Sequence, residues 1–141
     1  MRVTEPREIA SGVMMITAGS GPLASNLYLV RSGGAWAMVD CGWAGSAEPV
    51  RRAVDEVLGP GNAPSAILLT HVHPDHSGAA GALARHWEVP VYVHKAELPS
   101  VAGKYIPEFS VPLDRWIIAP FMWSLRPERG GGWKPPATSR T

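Results

Sequence analysis

An uninterrupted apolar run, Ala66-Ile67-Leu68-Leu69, leads directly into Thr70-His71-Val72-His73-Pro74-Asp75-His76-Ser77-Gly78. Four apolar residues in a row read as a strand buried on both faces, which requires cover on each side. Three imidazoles and one carboxylate then fall within six positions. From about Gly78 to Trp87 the pattern turns helical, with Leu83, Ala84 and Trp87 on the inward face. A ligand-rich loop between a buried strand and a helix confines the chain to an α/β arrangement, where such loops gather at strand carboxyl ends.

The flanking segments fit that layer. Val13 to Thr17 reads as a strand, and Asn26 to Arg31 and Ala35 to Asp40 as a hairpin around Ser32-Gly33-Gly34. Ala47 to Leu58 reads as a helix capped by Ser46 and stopped by Gly59-Pro60. Its apolar face is Val50, Ala53, Val54, Val57 and Leu58, and Arg51, Arg52, Asp55 and Glu56 lie opposite. Val89 to His94 is a further strand. Beyond Pro99 the character changes, since half of the 14 prolines lie from there onward. The expected organisation is one layered unit over residues 1–98, a Pro-interrupted apolar segment over 99–125 and a disordered tail over 126–141.

Neutral imidazole and carboxylate are ordinary zinc ligands. His71 and His73 alternate in an extended segment, which sends both to one side. Asp75 and His76 follow where the chain turns into the helix, with Pro74 to stiffen the turn and Gly78 to admit close backbone approach. The composition excludes other classes. A formal net charge of +1 with scattered Lys and Arg argues against nucleic acid as a partner. The longest apolar stretch, Trp116 to Trp123, is too short to span a bilayer. The charged residues Arg2, Glu5, Arg7 and Glu8 leave no apolar core for a secretory leader, and Cys41 is the single cysteine. A cytoplasmic setting is the expectation.

The His-x-His-x-Asp-His loop resembles the signature of the metallo-β-lactamase superfamily. The stretches Ser25-Asn26-Leu27-Tyr28-Leu29-Val30, Val39-Asp40-Cys41-Gly42 and Val89-Pro90-Val91-Tyr92-Val93-His94 are similar to it as well. Thr70 before the first histidine and Ser77-Gly78 after the last look most like the branch related to hydroxyacylglutathione hydrolases. The resemblance implies the first half of an αβ/βα sandwich, a mixed sheet with flanking helices, followed here by an irregular Pro-rich tail. It implies that His71 and His73 bind a first zinc and that Asp75 and His76 bind a second, Asp75 being also the catalytic residue. Asp40 matches the early aspartate that supports the metal loop. A metal-bound hydroxide would attack an ester, thioester, amide or phosphoester of a small-molecule substrate. One or two zinc ions are expected, with iron or manganese as alternatives.

The family's later histidine and aspartate ligands have no match, because no histidine follows His94. The chain therefore reads as truncated and inactive alone. It would work with a second copy or a missing C-terminal half, or be a non-catalytic metal-binding or partner-binding paralogue, or a gene fragment. His86 reads as a surface histidine and His94 as a non-ligand at a strand end. Cys41 reads as a small buried thiol, and Trp43 equally as a pocket wall or a core residue. Trp116, Ile117, Ile118, Phe121, Met122 and Trp123 form an apolar cluster suited to docking on an uncovered sheet face.

Overall fold

A computed structural model of the chain describes residues 1–98. The expected divisions at 99–125 and 126–141, and the cluster from Trp116 to Trp123, lie outside the described residues. Six strands form one sheet in sequence order: β1 (Arg7–Ala10), β2 (Val13–Ala18), β3 (Ser25–Ser32), β4 (Ala35–Val39), β5 (Ala66–Leu69) and β6 (Val91–Val93). The first four pair antiparallel, and β4, β5 and β6 pair parallel. The sheet is therefore mixed, and the two parallel steps need crossover segments. α1 (Ala47–Leu58) makes the first crossover, and α2 (Pro74–Ser77) with α3 (Ala80–Trp87) makes the second.

Period-two alternation sorts each strand's side chains onto two faces. Ile16, Leu27, Leu29, Met38, Ile67 and Val91 join Val50 and Val54 of α1 and Leu83 of α3 in one buried core. Each such side chain contributes roughly 1.5–3 kcal/mol relative to exposure. The opposite face carries a row fixed by strand register: Met15 beside Tyr28, Tyr28 beside Val39, Val39 beside Leu68, and Leu68 beside Tyr92. Leu68 is 40% exposed and Tyr92 is 54% exposed. The strand that reads as buried on both faces is covered on one side only among the described residues. No helix among them is long and apolar enough to cross a membrane.

Several boundaries differ from expectation for local reasons. β1 has no apolar signature, since all four of its residues are exposed, and it forms by pairing with β2. The loop expected over Thr70 to Ser77 contains the short helix α2, started by Pro74 in its first turn. The following helix begins at Ala80 rather than Gly78, and the last strand is trimmed to Val91–Val93. Ser46 stands at the start of α1 without capping it through its side chain; its hydroxyl donates instead to the Trp43 carbonyl at 2.6 Å.

Candidate metal centre

β4 ends at Val39, one residue earlier than expected, because Asp40 leaves the strand in a left-handed conformation with φ of 59°. That conformation is uncommon outside glycine, although aspartate tolerates it better than most residues. It carries the side chain of Asp40, 3% exposed, towards the end of the neighbouring strand β5. There Oδ1 accepts the Thr70 N–H at 2.8 Å, and Oδ2 accepts the Thr70 hydroxyl at 2.7 Å. Oδ2 also lies 2.9 Å from His76 Nδ1. A carboxylate offers only acceptors, so Nδ1 carries a proton and Nε2 is the nitrogen left for a metal.

The same logic runs through Thr70 to His71. With its proton committed to Asp40, Thr70 Oγ1 accepts from His71 Nδ1 at 3.0 Å. Nε2 is then the nitrogen left for a metal in His71 too. Partial burial pushes the His71 pKa down, and the neighbouring His76 and His73 push it further, against the opposing charges of Asp40 and Asp75. Every one of these effects except the two carboxylates favours the neutral imidazole that a metal requires.

The loop backbone is fastened from elsewhere. Ser25, 5% exposed at the start of β3, donates to the Asp75 carbonyl at 2.6 Å. Ser77 Oγ reaches the carbonyls of Val72 and His73, each at 3.0 Å. Cys41 N–H donates to the His76 carbonyl at 2.7 Å, and Ala79 N–H to the Gly42 carbonyl at 3.1 Å. These bonds press the end of α2 against the segment after Asp40. Gly78 is required there: a Cβ would collide with the Pro74 carbonyl and lie 2.5 Å from Ala44 N.

The result is a compact donor group. His71, Asp75 and His76 each offer one ligand atom, and these atoms lie within 4.8 Å of one another. His76 Nε2 and Asp75 Oδ2 are 3.2 Å apart. The His71 ring stands 4.2 Å from that of His76 and 4.7 Å from that of His73, centroid to centroid, the latter edge-on. His71 thus stands close to both His73 and His76. Among the described residues no buried side-chain polar atom lacks a partner.

The remaining residues sort cleanly. His86 is exposed on α3, and His94 is exposed at the end of β6, where its Nδ1 accepts from Ala96 N–H at 3.2 Å. Cys41 is fully buried, and burial with the adjacent Asp40 charge raises its thiol pKa, so it stays protonated and inert. Trp43 is half-buried and donates its indole N–H to the Leu23 carbonyl at 2.9 Å. The roles of Thr70, Ser77 and Ser25 go beyond the expectation, although all three lie within the stretches that carry the resemblance.

Comparison with known proteins identifies the family and the fold. The sequence model of the metallo-β-lactamase superfamily matches residues 20–138. A probable metallo-hydrolase of Bacillus subtilis, YflN, is 35% identical over 100 residues, which is 69% of this chain and 36% of the relative. A second from the same organism, YqgX, is 36% identical over 77 residues, 55% of this chain and 34% of the relative. The chain thus spans about a third of the length of the curated relatives it matches. A Cronobacter sakazakii metallo-β-lactamase superposes with a TM-score of 0.60 at 20% identity, over 72% of this chain and 39% of that one. The Pseudomonas aeruginosa metallo-β-lactamase FIM-1, in its mono-zinc form, gives 0.58 at 22% identity, over 74% and 47%. At these identities the likeness is one of fold.

Proposed function

Because the chain belongs to the metallo-β-lactamase superfamily, we propose that it holds one or two zinc ions through His71, His73, Asp75 and His76 and serves metal-assisted hydrolysis. The substrate class is a small-molecule ester, thioester, amide or phosphoester, in keeping with the hydroxyacylglutathione hydrolase-like character of the loop. The observation that carries the reading is the convergence of ligand atoms from His71, Asp75 and His76 within 4.8 Å. Their donor chemistry fits the ion: two imidazoles with Nδ1 committed elsewhere, and one carboxylate. A zinc ion held there lowers the pKa of water towards about 7 and supplies a nucleophile at neutral pH. Zinc bound to the neighbour FIM-1 supports that metal over iron or manganese.

The chain's own residues have definite tasks in this reading. Asp40 orients His76 directly and His71 through Thr70, which leaves the Nε2 atom of each for the metal. Asp75 is ligand and catalytic carboxylate, and Ser25 holds its backbone. The lone cysteine, buried in the core, suits a reducing cytoplasm.

A second reading, a metal-binding module completed by a partner or a second copy, draws on the exposed Leu68 and Tyr92. Calorimetry with zinc on the whole chain tests the metal site. Wild type is expected to bind, and His71→Ala and His76→Ala are each expected to lose at least about tenfold, or 1.4 kcal/mol. Equal affinity in all three would overturn the assignment. Zinc-loaded chain is then offered thioester, phosphodiester and β-lactam substrates; binding without turnover on any of them favours the second reading.

A further inference from the structure

One carboxylate reaches the metal loop from a distant part of the chain without joining the donor group. Glu97 ends a single 3-10 turn, Lys95–Glu97, that follows β6. Its Oε2 accepts a hydrogen bond from the Val72 N–H at 3.1 Å. The turn is itself held in place: His94 Nδ1 accepts from Ala96 N–H at 3.2 Å, and Glu97 N–H donates to the His94 carbonyl at 2.9 Å. His94 therefore caps the turn that presents Glu97.

Val72 is the residue between His71 and His73, and it is fastened on both sides. Its N–H belongs to the peptide plane joining His71 to Val72, and its carbonyl to the plane joining Val72 to His73. Glu97 fixes the first plane and Ser77 fixes the second. Because each peptide is rigid, fixing the two planes sets the backbone torsions of Val72. Together with ψ of His71 and φ of His73, those torsions set how the Cα–Cβ bonds of the two histidines are aimed relative to each other. An extended loop segment has no ladder of its own to provide this restraint.

We propose that Glu97 is a positioning residue for the metal loop, clamping the His71–Val72 peptide and thereby setting the relative aim of His71 and His73. The inference rests on the metal-binding reading given above. Among the described residues the side chains close enough to share an ion are His71, Asp75 and His76, without Glu97. Glu97 acts on the backbone as a hydrogen-bond acceptor. What matters is an acceptor at the right reach, and a charge-assisted bond to an amide is the stronger form of it.

Three variants of the whole chain separate reach from charge. Glu97→Gln keeps the length and an acceptor oxygen, Glu97→Asp keeps the charge and loses reach, and Glu97→Ala loses both. Two readouts are taken: Val72 amide exchange in the metal-free protein, and cobalt(II) affinity with its visible absorption spectrum. Glu97→Ala and Glu97→Asp are expected to exchange Val72 faster, to bind cobalt about tenfold more weakly and to alter the spectrum. Glu97→Gln is expected to stay near wild type in all three. Unchanged Val72 exchange in Glu97→Asp would overturn the clamp even if Glu97→Ala failed to fold. Loss in Glu97→Gln matching that in Glu97→Ala would overturn the acceptor role in favour of a charge or ligand role. A wild type that binds no cobalt would instead overturn the metal reading itself, and the Val72 exchange data would still report on the clamp.

Discussion

Two regions of this molecule use the same kinds of polar side chain in opposite ways. On α1, Glu48 pairs with Arg51 and Arg52 in solvent, and Arg51 pairs with Asp55 in a part-buried setting, all at separations of three or four residues. Around the metal loop, Asp40 reaches Thr70 and His76, Ser25 reaches Asp75, and Glu97 reaches Val72, across 25 to 50 residues of chain. The helix bonds decorate an element that its own apolar face already anchors. The loop bonds are what hold the element at all, since Thr70 to His73 has no regular structure. Interactions that tie distant segments in a desolvated setting carry more stability and set the geometry of a site; exposed local pairs do neither.

The largest expected effect tests the loop side of that contrast. Asp40→Ala leaves the Thr70 N–H, the Thr70 hydroxyl and His76 Nδ1–H without their acceptor, and forces alanine into a left-handed conformation. A loss of roughly 3 kcal/mol is expected in chemical denaturation. Asp40→Asn tolerates that backbone and keeps one acceptor, so it should lose less than half as much. Equal losses would mean that backbone strain has no part and that the amide cannot replace either oxygen. A loss under about 1 kcal/mol for alanine would break the comparison outright.

Next comes Gly78→Ala. The new Cβ meets backbone at Pro74, Ala44 and Trp43, which cannot rotate out of the way as a side chain would. About 2 kcal/mol of stability is expected to go. Because α2 must shift and it carries Asp75 and His76, zinc affinity should fall in the protein that remains folded. Destabilisation with unaltered zinc affinity would show that the loop adjusts independently of α2.

Ser25→Ala is a smaller change, removing one buried donor to the Asp75 carbonyl at 2.6 Å. Roughly 1 kcal/mol is expected by thermal or chemical denaturation. A double-mutant cycle with Asp40→Asn sharpens the test: coupling above about 0.5 kcal/mol would mark one connected network, and strict additivity would mark independent fastenings.

The same contrast explains what was legible beforehand. Local patterns transferred well: α1 runs over Ala47–Leu58 and β5 over Ala66–Leu69, the spans that periodicity and composition predict. The His71-to-His76 spacing drew attention to the loop because its residue types are dense within six positions. What could not be read was anything decided between segments. β1 is made of exposed residues and exists because β2 offers it a partner. Ser46 has the identity of a helix cap, yet the Trp43 carbonyl takes its proton. Glu97 has no local feature that distinguishes it from the other exposed or half-exposed acids; only the fold brings it beneath Val72. Asp40 was singled out through resemblance, and its left-handed turn out of β4 shows how it spans to β5 and α2 together.

The smallest effect belongs to α1, and its sign can be worked out. Hydrogen bonds from Arg51 and then Arg52 lower the Glu48 pKa from 4.5 to about 2, with a minor opposing contribution from desolvation. A carboxyl group depressed in the folded state stabilises it above its ordinary pKa, and that contribution disappears as pH falls through the depressed value. Glu48 is exposed, so solvent and salt screen the pairs and the benefit is slight. Glu48→Gln should therefore melt marginally below wild type at neutral pH. The gap should narrow between pH 4.5 and about 2 and close below that. Raising the salt to about 1 M, where the screening length is near 3 Å, should shrink the gap at neutral pH as well. The Asp40→Asn deficit should change little under the same salt, because Asp40 itself is shielded from solvent. If instead the Glu48 gap survives high salt while the Asp40 gap collapses, the division between a decorated helix and a fastened loop is the wrong way round.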